Sequence, residues 1–230
     1  MLKLNYLFNS FRQENKPVIN ILTRTSKRPK AFKKCRESIE QQTYTNINHI
    51  VSYDCDGDMA YLSKYNINTV KVDRELLIEK DQSEDPGTGP FSPHNLYCNV
   101  LLSKVKEGWV LFLDDDDMLA HKNVLREISK KIKTANEDTL FIWQMQYPNG
   151  KLIPGKDLIR NERIDLYNIG SPCFFFHSNY AFKVKWDAWK CADYRFVKSL
   201  SQIVPNKVWI EKPYILLNNY GDLGNRNDIQ

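Results

Sequence analysis

WVLFLDDDDML, residues 109–119, runs five apolar residues straight into four consecutive aspartates. A short continuous apolar run that stops at polar residues reads as a strand buried on both faces. Four like charges at its end repel one another, so something positive is expected to sit beside Asp114, Asp115, Asp116 and Asp117.

Working outward, the chain alternates strands and helices. VINILTRT (18–25) is a β-branched apolar run. KRPKAFKKCRESIEQQ follows, with Pro29 suited to a first helical turn and Phe32, Cys35 and Ile39 on one stripe. NINHIVSYD (46–54) and NTVKVD (68–73) read as strands. A loop rich in proline and glycine leads to a helix, HNLYCNVLLSKVK, that delivers the chain to WVLFLD. This order implies crossovers and a mostly parallel sheet, in which the 109–113 strand is central.

The second half is more mixed. HKNVLREISKKIK (121–133) is amphipathic through Val124, Leu125, Ile128 and Ile132. TLFIWQMQYPNGKLI suggests a hairpin turning at Asn149 and Gly150. SPCFFFHS is a further strand, ADYRFVKSLSQIV (192–204) a helix, and KVWIEKPYILLNNY a closing strand. The expected fold is α/β, one domain over 1–230, with a mixed, mostly parallel central sheet flanked by helices.

Composition agrees. At 230 residues, 42% hydrophobic, the chain can bury one substantial core. Its net charge of +5 suits an anionic small molecule as well as a nucleic acid or a membrane surface. No nucleic-acid partner is expected. Five scattered cysteines without a CxxC pair read as reduced residues of a cytoplasmic protein, with room for peripheral contact to a membrane. MLKLNYLFNSF is too polar for a secretory leader, and no run reaches the roughly 18 apolar residues of a transmembrane segment.

Ligands of open α/β sheets bind at the carboxyl ends of strands, where the aspartates lie. Asp114 and Asp116, one residue apart, can face the same side of an extended backbone and share a cation. All-oxygen ligation selects Mg²⁺ or Mn²⁺ over zinc. The alternative is a solvated acidic turn before a helix. SYDCDGD places Asp54 at the same sheet edge and admits three readings. A calcium loop fails, because Tyr65 stands where a bidentate Glu is needed. A phosphatase of the haloacid dehalogenase type would use Asp54 as nucleophile and Asp56 as acid/base, yet Asp58 stands where Thr or Val is expected. In the third reading Asp54 accepts hydrogen bonds from a nucleotide base.

VINILTRTSKRPKAFKKCRESIEQQTYTNINHIVSYDCDGD resembles the opening of a GT-A glycosyltransferase of the family 2 type, with its TRTxxRP and SIxxQTYxNIxHI segments. WVLFLDDDDML is similar to that family's FLDxDD segment. The match covers residues 18–58 and 109–119, and more weakly the C-terminal half. It implies a Rossmann-like GT-A domain, with 18–117 binding the nucleotide-sugar and 118–230 the acceptor. Thr23, Arg24, Arg28 and Asp54 would line the nucleotide site, with Asn95 near the donor and Asp114 close to the ribose. Asp116 would be the principal ligand of Mn²⁺ or Mg²⁺ with Asp114 beside it, and Asp115 and Asp117 flank them and could substitute. The resemblance implies an inverting, metal-dependent transfer from a nucleotide-diphosphate sugar, UDP-sugar favoured, to a glycan or glycoconjugate acceptor. Its general base would be an acid at the start of a late helix, Asp193 in KCADYRFVKSL, or else Asp187. Asp58 departs from the Ser that many members carry.

Other residues are read more plainly. The rest of the basic run from Arg24 to Arg36 is expected on the solvated face of the first helix. His177 is read as packing, and His94 as a loop residue within reach of the donor. Trp186 and Trp189 are expected in the core, with acceptor stacking as the alternative. Arg226, in GDLGNRND, could close over a diphosphate. A non-catalytic sugar-nucleotide-binding module is the rival outside enzymes. The GxGxRxxP signature of sugar nucleotidylyltransferases is absent.

Overall fold

The computed structural model describes residues 16–217. The chain runs β1 (Ile19–Thr25), α1 (Pro29–Glu40), β2 (Ile47–Tyr53), α2 (Met59–Leu62), β3 (Asn68–Lys71), α3 (Arg74–Lys80), α4 (Tyr97–Leu102) and β4 (Trp109–Phe112). It continues through β5 (Asp117–Leu119), α5 (Val124–Ile132), β6 (Thr139–Gln146), β7 (Leu152–Ile153), α6 (Lys156–Arg160), β8 (Phe174–His177), α7 (Ala192–Ile203) and β9 (Asn206–Leu217).

All of the described strands join one sheet of order β3-β2-β1-β4-β8-β6-β9-β5, with β7 on β6. β3, β2, β1 and β4 are parallel, as helical crossovers require. β8 then runs antiparallel to both β4 and β6. β6 and β9 are parallel over the longest ladder of the second half. The sheet is therefore mixed, and most paired residues lie in parallel ladders. β4 is central, and the order reverses between β1 and β4, which opens a crevice at their carboxyl ends.

The helix stripes are buried as their periodicity dictates: Phe32, Cys35 and Ile39 in α1, then Val124, Leu125, Ile128 and Ile132 in α5. The helix expected over 94–106 is shorter, a 3₁₀ turn at Pro93–Leu96 followed by α4. β5 was not legible, because three residues carry too little pattern; it exists through its antiparallel pairing with β9. The Asn149–Gly150 turn forms, with Gly150 at φ 83° and β7 antiparallel to β6. All five cysteines are free thiols. Among the described residues, no helix is long and apolar enough to cross a membrane.

The core behind the crevice is aromatic. Trp186 stacks on Phe196 at 4.9 Å, and Phe112 meets Trp186 edge-on at 5.0 Å. These contacts pin α7 against β4 and β8. Gly108, at φ 88°, lets β4 start beside β1: a Cβ there would lie 2.5 Å from the Val18 carbonyl oxygen. Gly108→Ala is expected to destabilise the fold by about 1–3 kcal/mol, since backbone strain adds to the clash. A urea midpoint unchanged from wild type would contradict this.

Candidate active site

The carboxyl ends of β1 and β4 carry opposite charges. Arg24 donates from Nε to Asp114 Oδ1 at 2.9 Å and from Nη2 to Oδ2 at 2.8 Å, a two-pronged pair across 90 residues of chain. Ser171 Oγ adds a bond to Asp114 Oδ2 at 2.9 Å. Arg24 Nη1 also reaches Asn95 Oδ1 at 2.9 Å. Burial pushes the Asp114 carboxyl up, but Arg24's charge and hydrogen bonds pull it further down, so the net shift is below the usual carboxylate range.

Arg28, just before α1, donates from Nη1 to Asp115 Oδ1 at 3.1 Å and Asp116 Oδ2 at 3.3 Å. Thr25 Oγ1 donates to Asp115 Oδ2 at 2.7 Å. The positive charge expected beside the aspartates is thus supplied in part by two arginines of the TRTSKR segment. Three of the four carboxylates, Asp114, Asp115 and Asp116, share two guanidinium groups. Burial and mutual repulsion hold Asp115 and Asp116 above the ordinary range despite Arg28, and Asp117 above it despite Arg24.

Could these residues take a divalent cation? No three acidic, histidine or cysteine side chains converge on one point among the described residues. An ion would therefore rely on few protein ligands and on substrate oxygens, the usual Mg²⁺ arrangement. Asp116 suits that role, because its one ion pair among the described residues is the long one to Arg28. Asp114 has both oxygens engaged by Arg24. The donors are hard oxygens with surplus negative charge, which fits Mn²⁺ or Mg²⁺.

Two cavities meet at the Arg24–Asp114 pair, which lines both together with His94. The larger, about 390 Å³, is lined also by Arg28, Asp54, Arg74, Tyr97 and Asp116. Asp54 Oδ2 accepts from Tyr97 Oη at 2.7 Å, whereas Oδ1 is buried without a hydrogen-bond partner. The smaller, about 240 Å³, holds Asn95, Tyr167, Ser171 and Asp193. Asp193 sits in the first turn of α7, after Cys191 in a left-handed conformation. Burial pushes its carboxyl up to about 6, against the pull of the Tyr194 N–H and Arg24.

Arg24, Arg28, Asp54, Asn95, Asp114, Asp115, Asp116 and Asp193 are therefore brought to one crevice. Thr23 is not. Successive strand residues point to opposite faces, and Thr23 is fully buried with Oγ1 2.9 Å from His49 Nε2. Asp187, the second candidate base, is spent on Arg195, which grips it with two bonds of 2.6 Å. Trp186 is core, and Trp189 packs edge-on against Phe91 at 5.3 Å. His177 is buried against Trp109 at 5.3 Å, as a packing residue. Arg226 lies outside the described residues.

Asp58 is buried and accepts the Lys27 N–H at 2.9 Å, so it braces the loop that presents Arg28. Asp56 points to solvent and pairs with Lys71 at 2.6 Å, outside the cavity. The Asp54–Asp56 pair that a phosphatase would need does not face one site. Arg74, Tyr97, Ser171 and Tyr167 were not anticipated. Arg74 follows a strand end, a signal that was available in the sequence; Ser171 and Tyr167 carry none.

No family model matches the chain, and no curated protein matches it. Solved structures do. S. aureus TarS 1–349 superimposes with a TM-score of 0.64 at 18% identity, covering 88% of this chain and 61% of that one. The same protein in complex with UDP-GlcNAc gives 0.63 at 17% identity, over 86% and 58%. Mannosyltransferase PcManGT from Pyrobaculum calidifontis, in complex with GDP-Man and Mn²⁺, gives 0.60 at 11% identity, over 91% and 59%. The fold is thus of the GT-A type, and the chain spans about three fifths of the length of these neighbours.

Proposed function

We propose that this chain is a metal-dependent, inverting glycosyltransferase that moves a sugar from a nucleotide-diphosphate donor, a UDP-sugar favoured, to a hydroxyl of a glycan or glycoconjugate. The carrying observation is the pair of cavities meeting at Arg24 and Asp114, with a basic, acid-lined cavity on one side and Asp193 on the other. The nucleotide complexes of the fold's neighbours support the same reading.

In this reading the larger cavity takes the nucleotide. The unpartnered Asp54 Oδ1 suits a base N–H, since a buried acceptor without a donor is costly until one arrives. Arg74 and Arg28 supply cationic donors to the same space. When bound there, Mn²⁺ or Mg²⁺, held by Asp116 with Asp114 beside it, would supply Lewis-acid neutralisation of diphosphate charge. The acceptor hydroxyl enters the smaller cavity and gives its proton to Asp193. Its oxygen bonds to the anomeric carbon as the bond to the phosphate oxygen breaks. A single displacement needs one base, and Asp193, unlike Asp187, is not locked in a bidentate ion pair.

Thermal shifts with UDP, GDP, TDP and CMP, each with Mn²⁺, Mg²⁺ or chelator, test the donor site. UDP with metal is expected to stabilise the wild type by about 2.7 kcal/mol at a hundred-fold excess over Kd. Asp116→Ala is expected to lose that response. Absence of any nucleotide response in the wild type would overturn the transferase reading.

A further inference from the structure

We propose that Tyr167 is the stacking platform of an acceptor subsite that takes a pyranose ring, which rests on the transferase reading of the same cavity. Tyr167 lies in a tight turn closed by the Asn168 N–H on the Asp165 carbonyl. Its φ of 65° is a left-handed conformation that glycine or asparagine would adopt with less strain. The residue is 62% exposed, so the core does not require it. Neither the backbone nor the packing explains a tyrosine here.

Its position does. Tyr167 lines the cavity that holds Asp193, and its hydroxyl donates to the Thr88 carbonyl at 3.3 Å, which ties down the far end of the ring. Thr88 Oγ1 in turn donates to the Lys190 carbonyl at 2.7 Å and accepts from Arg195 Nη1 at 2.6 Å. Arg195 belongs to α7, two residues beyond Asp193. The ring and the carboxylate are therefore fixed to one framework, and both line the cavity of about 240 Å³. An aromatic ring and a carboxylate lining one cavity suit a ligand with an apolar C–H face and hydroxyls at its rim. A pyranose ring has both, whereas an open-chain polyol presents no flat face. Trp186 cannot serve, since it is sandwiched in the core.

Saturation-transfer NMR tests this with methyl glycosides of glucose, galactose, mannose and N-acetylglucosamine, and with an open-chain hexitol, each measured with and without UDP and Mn²⁺. Ring-proton saturation is expected for at least one pyranoside and not for the hexitol. Tyr167→Phe should keep the signal, and Tyr167→Ala should weaken binding by up to about ten-fold. Tyr167→Gly should melt at or above the wild-type temperature while losing the pyranoside, which a merely structural role would not produce. The proposal is overturned if no pyranoside binds, if Tyr167→Ala binds equally well, or if the hexitol binds as strongly. Because the sugars are also measured without UDP, a Tyr167-dependent signal in a protein that ignores UDP would uphold the subsite while sinking the transferase reading.

Discussion

Asp193→Asn is expected to lower the transfer rate by about 10²–10⁴-fold, the usual worth of a positioned general base, while UDP binding stays at the wild-type level. The carboxylate lines the smaller cavity and not the larger one, so a nucleotide in the larger cavity should not sense its loss. The pH profile carries the finer test. Burial pushes this carboxyl up to about 6, and only the ionised form can accept a proton. Activity should therefore fall about ten-fold per pH unit below pH 6 and level off above it. The Asn variant should show a flat residual rate across that window. A variant within ten-fold of wild type, or one that keeps the acid limb, would remove Asp193 from the role and return attention to the rest of the cavity.

Arg24→Met should cost the fold up to about 3 kcal/mol, the lower end for breaking a buried ion pair, because both side chains keep some access to solvent. Arg24 is the only guanidinium bonded to Asp114 among the described residues. Without it Asp114 would stand uncompensated beside three further carboxylates. Asn95 would also lose the donor at its Oδ1. Replacing both partners, Arg24→Met with Asp114→Leu, should recover most of the stability, since no orphaned charge remains, yet should not recover nucleotide binding. Urea midpoints separate the two variants. A single variant as stable as wild type would show that the pair is decorative, and a double variant as unstable as the single would place the cost in lost packing.

Much of this protein was legible along the chain. The apolar run before Asp114 fixed a buried strand, the 3.6-residue stripes of α1 and α5 fixed those helices, and the alternation of strands and helices fixed an α/β fold. These signals are local: periodicity and turn chemistry act over a few residues. The aspartates also declared a need for positive charge, because their repulsion follows from adjacency alone.

What the aspartates received was decided only in three dimensions. A sequence with 33 basic residues does not say that Arg24 takes Asp114 and Arg28 takes Asp115 and Asp116. Strand order brings β1 beside β4, and that alone sets their ends together. The same holds for Thr23, hidden by the pleat, for Asp187, neutralised by Arg195, and for Tyr167, which meets the Asp193 cavity through Thr88 of a distant loop. Contacts between residues far apart in sequence depend on which strands neighbour one another and which faces turn inward. Those choices are made by burying the whole core at once, so no short stretch of the chain records them.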